Sequence, residues 1–295
     1  MNLLLLGNTG QLGWELQRSL QPLGVVTACD YPEINMADAD NIRKAVQACH
    51  PDVIINATAY TAVDKAESEP ELAEAINGRA PGLLAEEARK LKAVLIHYST
   101  DYVFDGNKGA PYFETDLPHP LNVYGASKLH GEQAVQQAGG DYLILRTSWV
   151  YSLRQGGFVN KVLEWARQQE MLRMVTDQVG NPTWCRMLAE ATSQVLAAGV
   201  GRIRKHSGLY HLSGGGFASR YDWAKLILEL DPKKSEQKIK EIMPAPTSDF
   251  PTPAQRPLFS ALDCSHFEAT FGLQLPDWTK ALIYAMEGIS RPRLL

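Results

Sequence analysis

Residues 2–20 read NLLLLGNTGQLGWELQRSL, and this stretch decides the fold. Leu3 to Leu6 form a short apolar run that enters a cluster of glycines, and from Trp14 to Leu20 the apolar residues recur at helical spacing. The pattern predicts a strand, a tight turn and a helix. Gly7, Gly10 and Gly13 stand in the turn as GxxGxxG. Bare backbone at such a turn lets a pyrophosphate approach and meet the positive end of the following helix. Glycines in the same place also simply permit positive φ and close packing, so this stretch alone leaves both readings open.

Moving outward, Val25 to Cys29 makes a second strand that ends at Asp30, 17 residues beyond Gly13. A carboxylate there can accept hydrogen bonds from the adenosine ribose hydroxyls, which leans toward NADH and leaves NADPH open. An ordinary loop aspartate is the alternative. Asn41 to Cys49 reads as a helix, Asp52 to Ala57 as a buried strand, Glu71 to Leu91 as one helix, and Ala93 to His97 as a strand stopping at Tyr98. A helix from Val123 to Gln137 and a strand from Tyr142 to Arg146 continue the alternation.

Strand and helix in strict turn predict an α/β fold: a doubly wound parallel sheet of the Rossmann type, which binds ligands outside the carboxyl ends of its strands. After Tyr151 the pattern loosens into helices near 158–168, 186–198 and 221–230 and a proline-rich stretch from Pro244 to Pro257. We expect residues 1–150 with 185–214 to form a dinucleotide-binding domain, and 151–184 with 215–295 a smaller α/β substrate lobe. At 295 residues, 45% of them hydrophobic, the chain is long enough for two lobes.

A net charge of -4 gives no basic field for gathering nucleic acid or anionic membrane, so neither is an expected partner. The four cysteines, Cys29, Cys49, Cys185 and Cys264, are scattered, which suggests neither disulfides nor a zinc knuckle and fits a reducing, cytoplasmic compartment. The opening apolar run is too short for a signal segment and reads as a strand. The seven histidines show no metal-ligand spacing, and His97 reads as a core residue inside a strand.

Tyr124 and Lys128 lie four apart on a predicted helix and therefore share a face. An ammonium beside a phenol favours the phenolate and tunes it toward working pH, so Tyr124 can act as a general acid toward a carbonyl that is being reduced. A tyrosine packed on the sheet beside a solvated lysine is the plain alternative. Ser99 and Thr100 end the preceding strand, where a hydroxyl can hydrogen-bond that carbonyl oxygen. The order of glycine turn, acidic strand end, hydroxyl strand end, then Tyr124 and Lys128, points to nicotinamide-dependent carbonyl reduction.

The chain resembles the extended short-chain dehydrogenase/reductase family. The stretches that carry the resemblance are GNTGQLGWELQ (7–17), TAVDKAE (61–67), YSTDYVFDG (98–106), PLNVYGASKLHGE (120–132), RTSWVY (146–151) and PTPAQRP (251–257), spread over nearly the whole chain. The last two are more particular to the branch that reduces the C4 keto group of dTDP-4-dehydro-L-rhamnose. The resemblance implies NADPH or NADH as cofactor, Tyr124 as proton donor, Lys128 on the nicotinamide ribose, and Thr100 beside the C4 carbonyl in place of the usual serine. It implies cofactor contacts at Gly10, Gln11, Leu12, Asp30, Ala59, Tyr60, Thr61 and Tyr98. Asn35 and Met36 fall beside the adenine, although relatives more often carry an acidic residue where Asn35 stands.

For the sugar, the resemblance implies contacts at Thr100, Asp101 and Trp149, with Arg256 facing the nucleotide's phosphates. Trp149 otherwise reads as a core aromatic and Arg256 as a surface arginine. Some relatives form homodimers around magnesium held by glutamates. Glu15 matches one such position, but the other is Arg186, a cation that repels metal and argues against a metal-bridged dimer here. Two further readings remain. A related epimerase or 4,6-dehydratase would use the same tyrosine and lysine, though only Asp101, and no second carboxylate, follows Thr100 directly. A non-catalytic regulatory subunit would have no need of Thr100, Tyr124 and Lys128 together.

Overall fold

The computed structural model describes residues 1–154 and 156–290; residue 155 and residues 291–295 of the expected second lobe lie outside the described residues. The LLLL run becomes β1 (Asn2–Leu6), and its continuous apolar character follows from burial on both faces. Leu3 and Leu5 enter one core with Leu12 and Leu16, while Leu4 and Leu6 enter another with Ile42, Val46 and Leu84. Each buried leucine contributes roughly 1.5–3 kcal/mol, so the alternation fixes which helices cover which face.

The first elements after β1 are α1 (Gln11–Ser19), β2 (Val25–Cys29), α2 (Ala39–Cys49), β3 (Val53–Asn56), α3 (Val63–Ala66), α4 (Pro70–Ala73) and α5 (Ala80–Leu91). They are followed by β4 (Val94–Thr100), α6 (Val123–Ala138) and β5 (Asp141–Thr147). The single helix expected over 71–91 is instead α4, a π-helical turn at Glu74–Arg79, and α5. Pro81 lacks the amide that a continuous α-helix would send to the Asn77 carbonyl, and a wider turn absorbs the defect. The strand expected to stop before Tyr98 runs through Thr100, all seven of its residues buried.

The remaining elements are β6 (Val150–Tyr151), α7 (Phe158–Gln168), β7 (Met171–Val175), β8 (Val179–Gly180), β9 (Thr183–Trp184), α8 (Cys185–Ala197), α9 (Val200–Lys205), β10 (Gly208–His211), β11 (Ala218–Ser219), α10 (Arg220–Glu229), β12 (Glu241–Ala245), α11 (Ser265–Phe271) and α12 (Trp278–Ser290).

The central sheet has six strands in the order β10-β5-β4-β3-β1-β2. Every neighbouring pair in it is parallel. The order reverses at β1: β2 lies on one side of it and β3 on the other. The crevice outside their carboxyl ends is where a doubly wound sheet receives a ligand.

Beyond β5 the chain makes two-stranded pieces, β11-β8, β12-β7 and β6-β9, around a third core that contains Trp223, Tyr151, Val159 and Leu282. Helix α8 returns to pack beside α1, and β10 completes the sheet. Phe267 and Phe271 of α11, with Leu275, also pack into the sheet's core although they belong to the stretch read as the second lobe. No helix among the described residues is long and apolar enough to cross a membrane.

Candidate active site

The glycine turn is built for close approach. Gly7 takes φ +85, a conformation that L side chains rarely adopt, and a Cβ at Gly13 would lie 2.0 Å from the Gly7 carbonyl oxygen. Gly10 is the N-cap of α1 and supplies no side chain to its first amides, which leaves that helix end facing the crevice. Asp30 is tied to the same turn: its Oδ2 accepts from the Thr9 hydroxyl at 2.5 Å and the Thr9 amide at 3.2 Å. Across the crevice the segment after β3 carries Ala57 to Thr61, with Thr58 folded back on Asn56 and the Tyr60 amide held by Asn77.

Helix α6 begins where Asn122 accepts from the Gly125 amide at 2.8 Å. One turn separates Tyr124 from Lys128, and both line a cavity of about 450 Å³. The same cavity is lined by Gly10, Gln11, Leu12, Ala59, Thr61, Tyr98, Thr100, Asp101 and Trp149. The expected residues thus converge from β1, β3, β4, β5 and α6. Gly7, Gly13, Asp30, Asn35, Met36, Tyr60 and Arg256 stand outside its lining. Met36 is buried in the core beside α2, and Asn35 is exposed in the loop after β2, where its own amide donates to Asn41. A larger groove of about 730 Å³ runs along the flank of α6, around Glu132 and Arg146, and contains neither Tyr124 nor Lys128.

The electrostatics depart from the expectation in one respect. Lys128 reaches toward the sheet, donating to the Tyr98 carbonyl at 2.6 Å with its Nζ 3.4 Å from His97 Nε2. Burial pushes Lys128 down to about 8, against the opposing pull of Glu132. Its ammonium is not among the groups that shift Tyr124. Burial raises that phenol, the Asp101 charge adds to the effect, and a hydrogen bond with Thr100 opposes it. Tyr124 is accordingly a neutral donor at ordinary pH. His97 is fully buried against Asn56 and held well below its usual range by burial, so it is a neutral core residue beneath Lys128.

Asp101 is buried at the end of β4, its pKa pushed up to about 6 by burial while hydroxyls from Ser260, Ser148 and Thr100 pull the other way. Trp149 adopts φ 43, left-handed for a bulky residue, and its ring stacks on Trp223 with centroids 5.6 Å apart. Such strain persists only where the surroundings impose it, and it collects at ligand sites. The Tyr98 hydroxyl points away into the core, where it meets Thr192 at 2.8 Å.

Arg256 is no free surface arginine. Its guanidinium grips Asp64 with both nitrogens, at 3.0 and 2.7 Å. Its neighbour Gln255 accepts from Asn122 at the head of α6, and Glu67 accepts from the Val123 amide. The TAVDKAE and PTPAQRP stretches therefore meet at the start of α6, the helix that carries Tyr124 and Lys128. Glu15 has Arg186, Arg18 and Arg154 around it, and no group of three or more metal-type side chains is placed to hold an ion among the described residues.

Three side chains escaped the sequence. Arg220, at the head of α10, lies 3.6 Å over the Trp149 ring beside Tyr102, and burial pushes its pKa down to about 10. Ser148 and Ser260 grip Asp101. A lone arginine and two serines carry no spacing signal: the pairing of β4 with β5 sets Ser148 beside Asp101, residues 259–262 bring Ser260 to it, and α10 brings Arg220 over Trp149.

The family model described as the RmlD substrate binding domain matches residues 1–290. The chain belongs to the RmlD family. A dTDP-4-dehydrorhamnose reductase of Burkholderia thailandensis is 42% identical over 289 residues, covering 96% of this chain and 97% of the relative. Among solved structures, a dTDP-4-dehydrorhamnose reductase of Clostridium acetobutylicum superposes with a TM-score of 0.91 at 34% identity, covering 99% of this chain and 100% of its own. That of Bacillus anthracis, solved in complex with NADP, gives 0.89 at 31% identity and covers 97% and 98% of the two chains. The RmlD match spans both the glycine turn and the Arg256 loop, the two ends of the site described above.

Proposed function

We propose that this RmlD-family chain is an NAD(P)H-dependent reductase that converts the C4 keto group of dTDP-4-dehydro-L-rhamnose to the alcohol of dTDP-L-rhamnose. The observation that carries the reading is the convergence of Tyr124, Lys128 and Thr100 with the first turn of α1 on one cavity. The fit of a dinucleotide rests on the Gly7–Gly13 approach and on Gln11 Oε1 and Thr147 Oγ1, two buried atoms of the cavity lining that have no hydrogen-bond partner.

When bound, the reduced nicotinamide supplies the hydride. Gly10, Gln11 and Leu12 hold the pyrophosphate at the head of α1, Asp30 takes the adenosine ribose, and Lys128 takes the nicotinamide ribose. Ala59, Thr61 and Tyr98 border the cofactor, Tyr60 and Asn35 stand outside the cavity lining on that side, and Met36 does not reach the adenine from its buried place in the core beside α2. Tyr124 donates its proton to the C4 oxygen as the carbonyl is reduced, and Thr100 orients that oxygen through its hydroxyl. Asp101 and Trp149 hold the sugar, Arg220 supplies positive charge for the phosphates, and Arg256, its charge paired with Asp64, offers them its remaining N–H donors. We assign residues 1–150 with 185–214 to the dinucleotide and 151–184 with 215–295 to the sugar nucleotide, apart from Phe267, Phe271 and Leu275, which pack into the core of the sheet. The four free thiols suit the cytoplasm.

The pH dependence follows from two buried groups. Asp101, pushed up to about 6, works as the carboxylate, and Lys128, pushed down to about 8, works as the ammonium. The expected kcat/KM profile rises as pH climbs through about 6 and falls again through about 8. A profile flat from pH 5 to 9 would contradict both roles. The function itself is tested by following nicotinamide absorbance with a panel of 4-keto nucleotide sugars. One equivalent of NAD(P)H consumed per sugar reduced supports the reading. Sugar turnover without net oxidation would mean an epimerase or dehydratase, and cofactor binding with no turnover a regulatory subunit.

A further inference from the structure

Asp101 is 2% exposed, and an ionised carboxylate is stable at such a place only where donors surround it. Its Oδ2 accepts from Ser260 Oγ at 2.5 Å and from Ser148 Oγ at 3.0 Å, and its Oδ1 accepts from Thr100 Oγ1 at the longer distance of 3.2 Å. Neither serine belongs to the cavity lining, and each is 1% exposed, so neither is placed to touch a ligand.

We propose that Ser260 and Ser148 are positioning residues for the reduction, saturating Asp101 Oδ2 so that the Thr100 hydroxyl stays available to Tyr124 and the C4 oxygen. This rests on the reductase reading above. Thr100 has one proton and two uses for it: Asp101 Oδ1, to which it donates, and the cavity that it lines together with Tyr124. A carboxylate already satisfied by two serines competes weakly for that proton. Deprived of one of them, it takes the threonine proton more firmly and is itself protonated more readily.

The two serines are held independently of the ligand. The Ser260 amide donates to the Val179 carbonyl at 2.9 Å, and Ser148 Oγ accepts from the Asn181 amide at 3.3 Å. Asn181 in turn accepts from the Leu262 amide at 2.7 Å and donates to the Gly216 carbonyl. Segments 148, 179–181 and 259–262 thus form one buried frame behind Asp101. The other titratable groups that act on it or feel its charge are Tyr124 of α6, Tyr102 beside it, and Arg220 of α10.

The test is Ser260→Ala in the full chain, with wild type alongside. A hydrogen bond donated to an ionised group is strong enough to move its titration by about one unit. The acid limb of kcat/KM should move up by about one pH unit and kcat at pH 7 should fall about tenfold, while KM for the sugar stays within about twofold. Ser260→Thr, which restores the hydroxyl, should return the limb toward its wild-type place. Ser148→Ala should shift the limb in the same direction, and it carries the test by itself if Ser260→Ala does not fold. A ¹³C-NMR titration of Asp101, assigned with Asp101→Asn, should show the same upward shift without any turnover. A folded alanine variant whose Asp101 titration and acid limb both stay in place overturns the proposal. A wild-type chain that reduces no keto sugar overturns the reductase reading instead, and the NMR titration still decides the frame.

Discussion

Replacing Tyr124 with phenylalanine is expected to lower kcat by on the order of 10² to 10⁴, the range that loss of a positioned general acid costs. The phenyl ring keeps the edge-to-face contact with Tyr102, whose centroid lies 5.8 Å away, so the packing at the head of α6 survives. Only the hydroxyl is lost. Burial keeps that hydroxyl protonated, in the cavity that it shares with Thr100. Binding of NADPH, followed by fluorescence titration, should change by no more than about twofold, because the removed group acts on the oxygen that gains a proton. Turnover within a few-fold of wild type would remove Tyr124 from the reaction.

The second large effect is on stability. Glu132, one turn beyond Lys128 on α6, forms a buried pair with Arg146 of β5: Oε1 accepts from Nε at 2.9 Å and Oε2 from Nη2 at 2.6 Å. Ser99 adds a third donor at 2.5 Å. Arg146 Nη1 already has no partner, so Glu132→Gln leaves a buried guanidinium without its counter-charge. Breaking such a pair costs about 3–5 kcal/mol, which urea denaturation should register as a lower midpoint at unchanged slope. The double variant Glu132→Gln with Arg146→Met should recover most of the loss, since an uncompensated charge is what makes the single change costly. A loss below about 1 kcal/mol would contradict this account of the pair. Because Glu132 also raises Lys128, its removal should move the alkaline limb of activity to lower pH.

Much of the fold was legible in residues 2–30, because a strand buried on both faces must be apolar throughout and must end in a turn that a side chain would block. Tyr124 and Lys128 were legible through their four-residue spacing. Their electrostatic relation was not: which way a lysine turns depends on the Tyr98 carbonyl and on His97, set side by side with it only by the sheet. The π-helical turn before Pro81 and the strained backbone of Trp149 were likewise invisible, since each answers to packing against distant segments. Arg256 was singled out only by the resemblance of its loop, which by itself reads as a surface stretch, and the structure adds its grip on Asp64 nearly two hundred positions earlier in the chain.

The most direct trial of the central claim is to run the reaction with NADPH carrying two deuterons at C4 of the nicotinamide and to examine the sugar product by NMR. Hydride transfer from the nicotinamide to the sugar gives one deuterium at C4 of dTDP-L-rhamnose for each NADPH oxidised, in wild type and, far more slowly, in Tyr124→Phe. Product with protium at C4, or formed without net loss of NADPH, would contradict it.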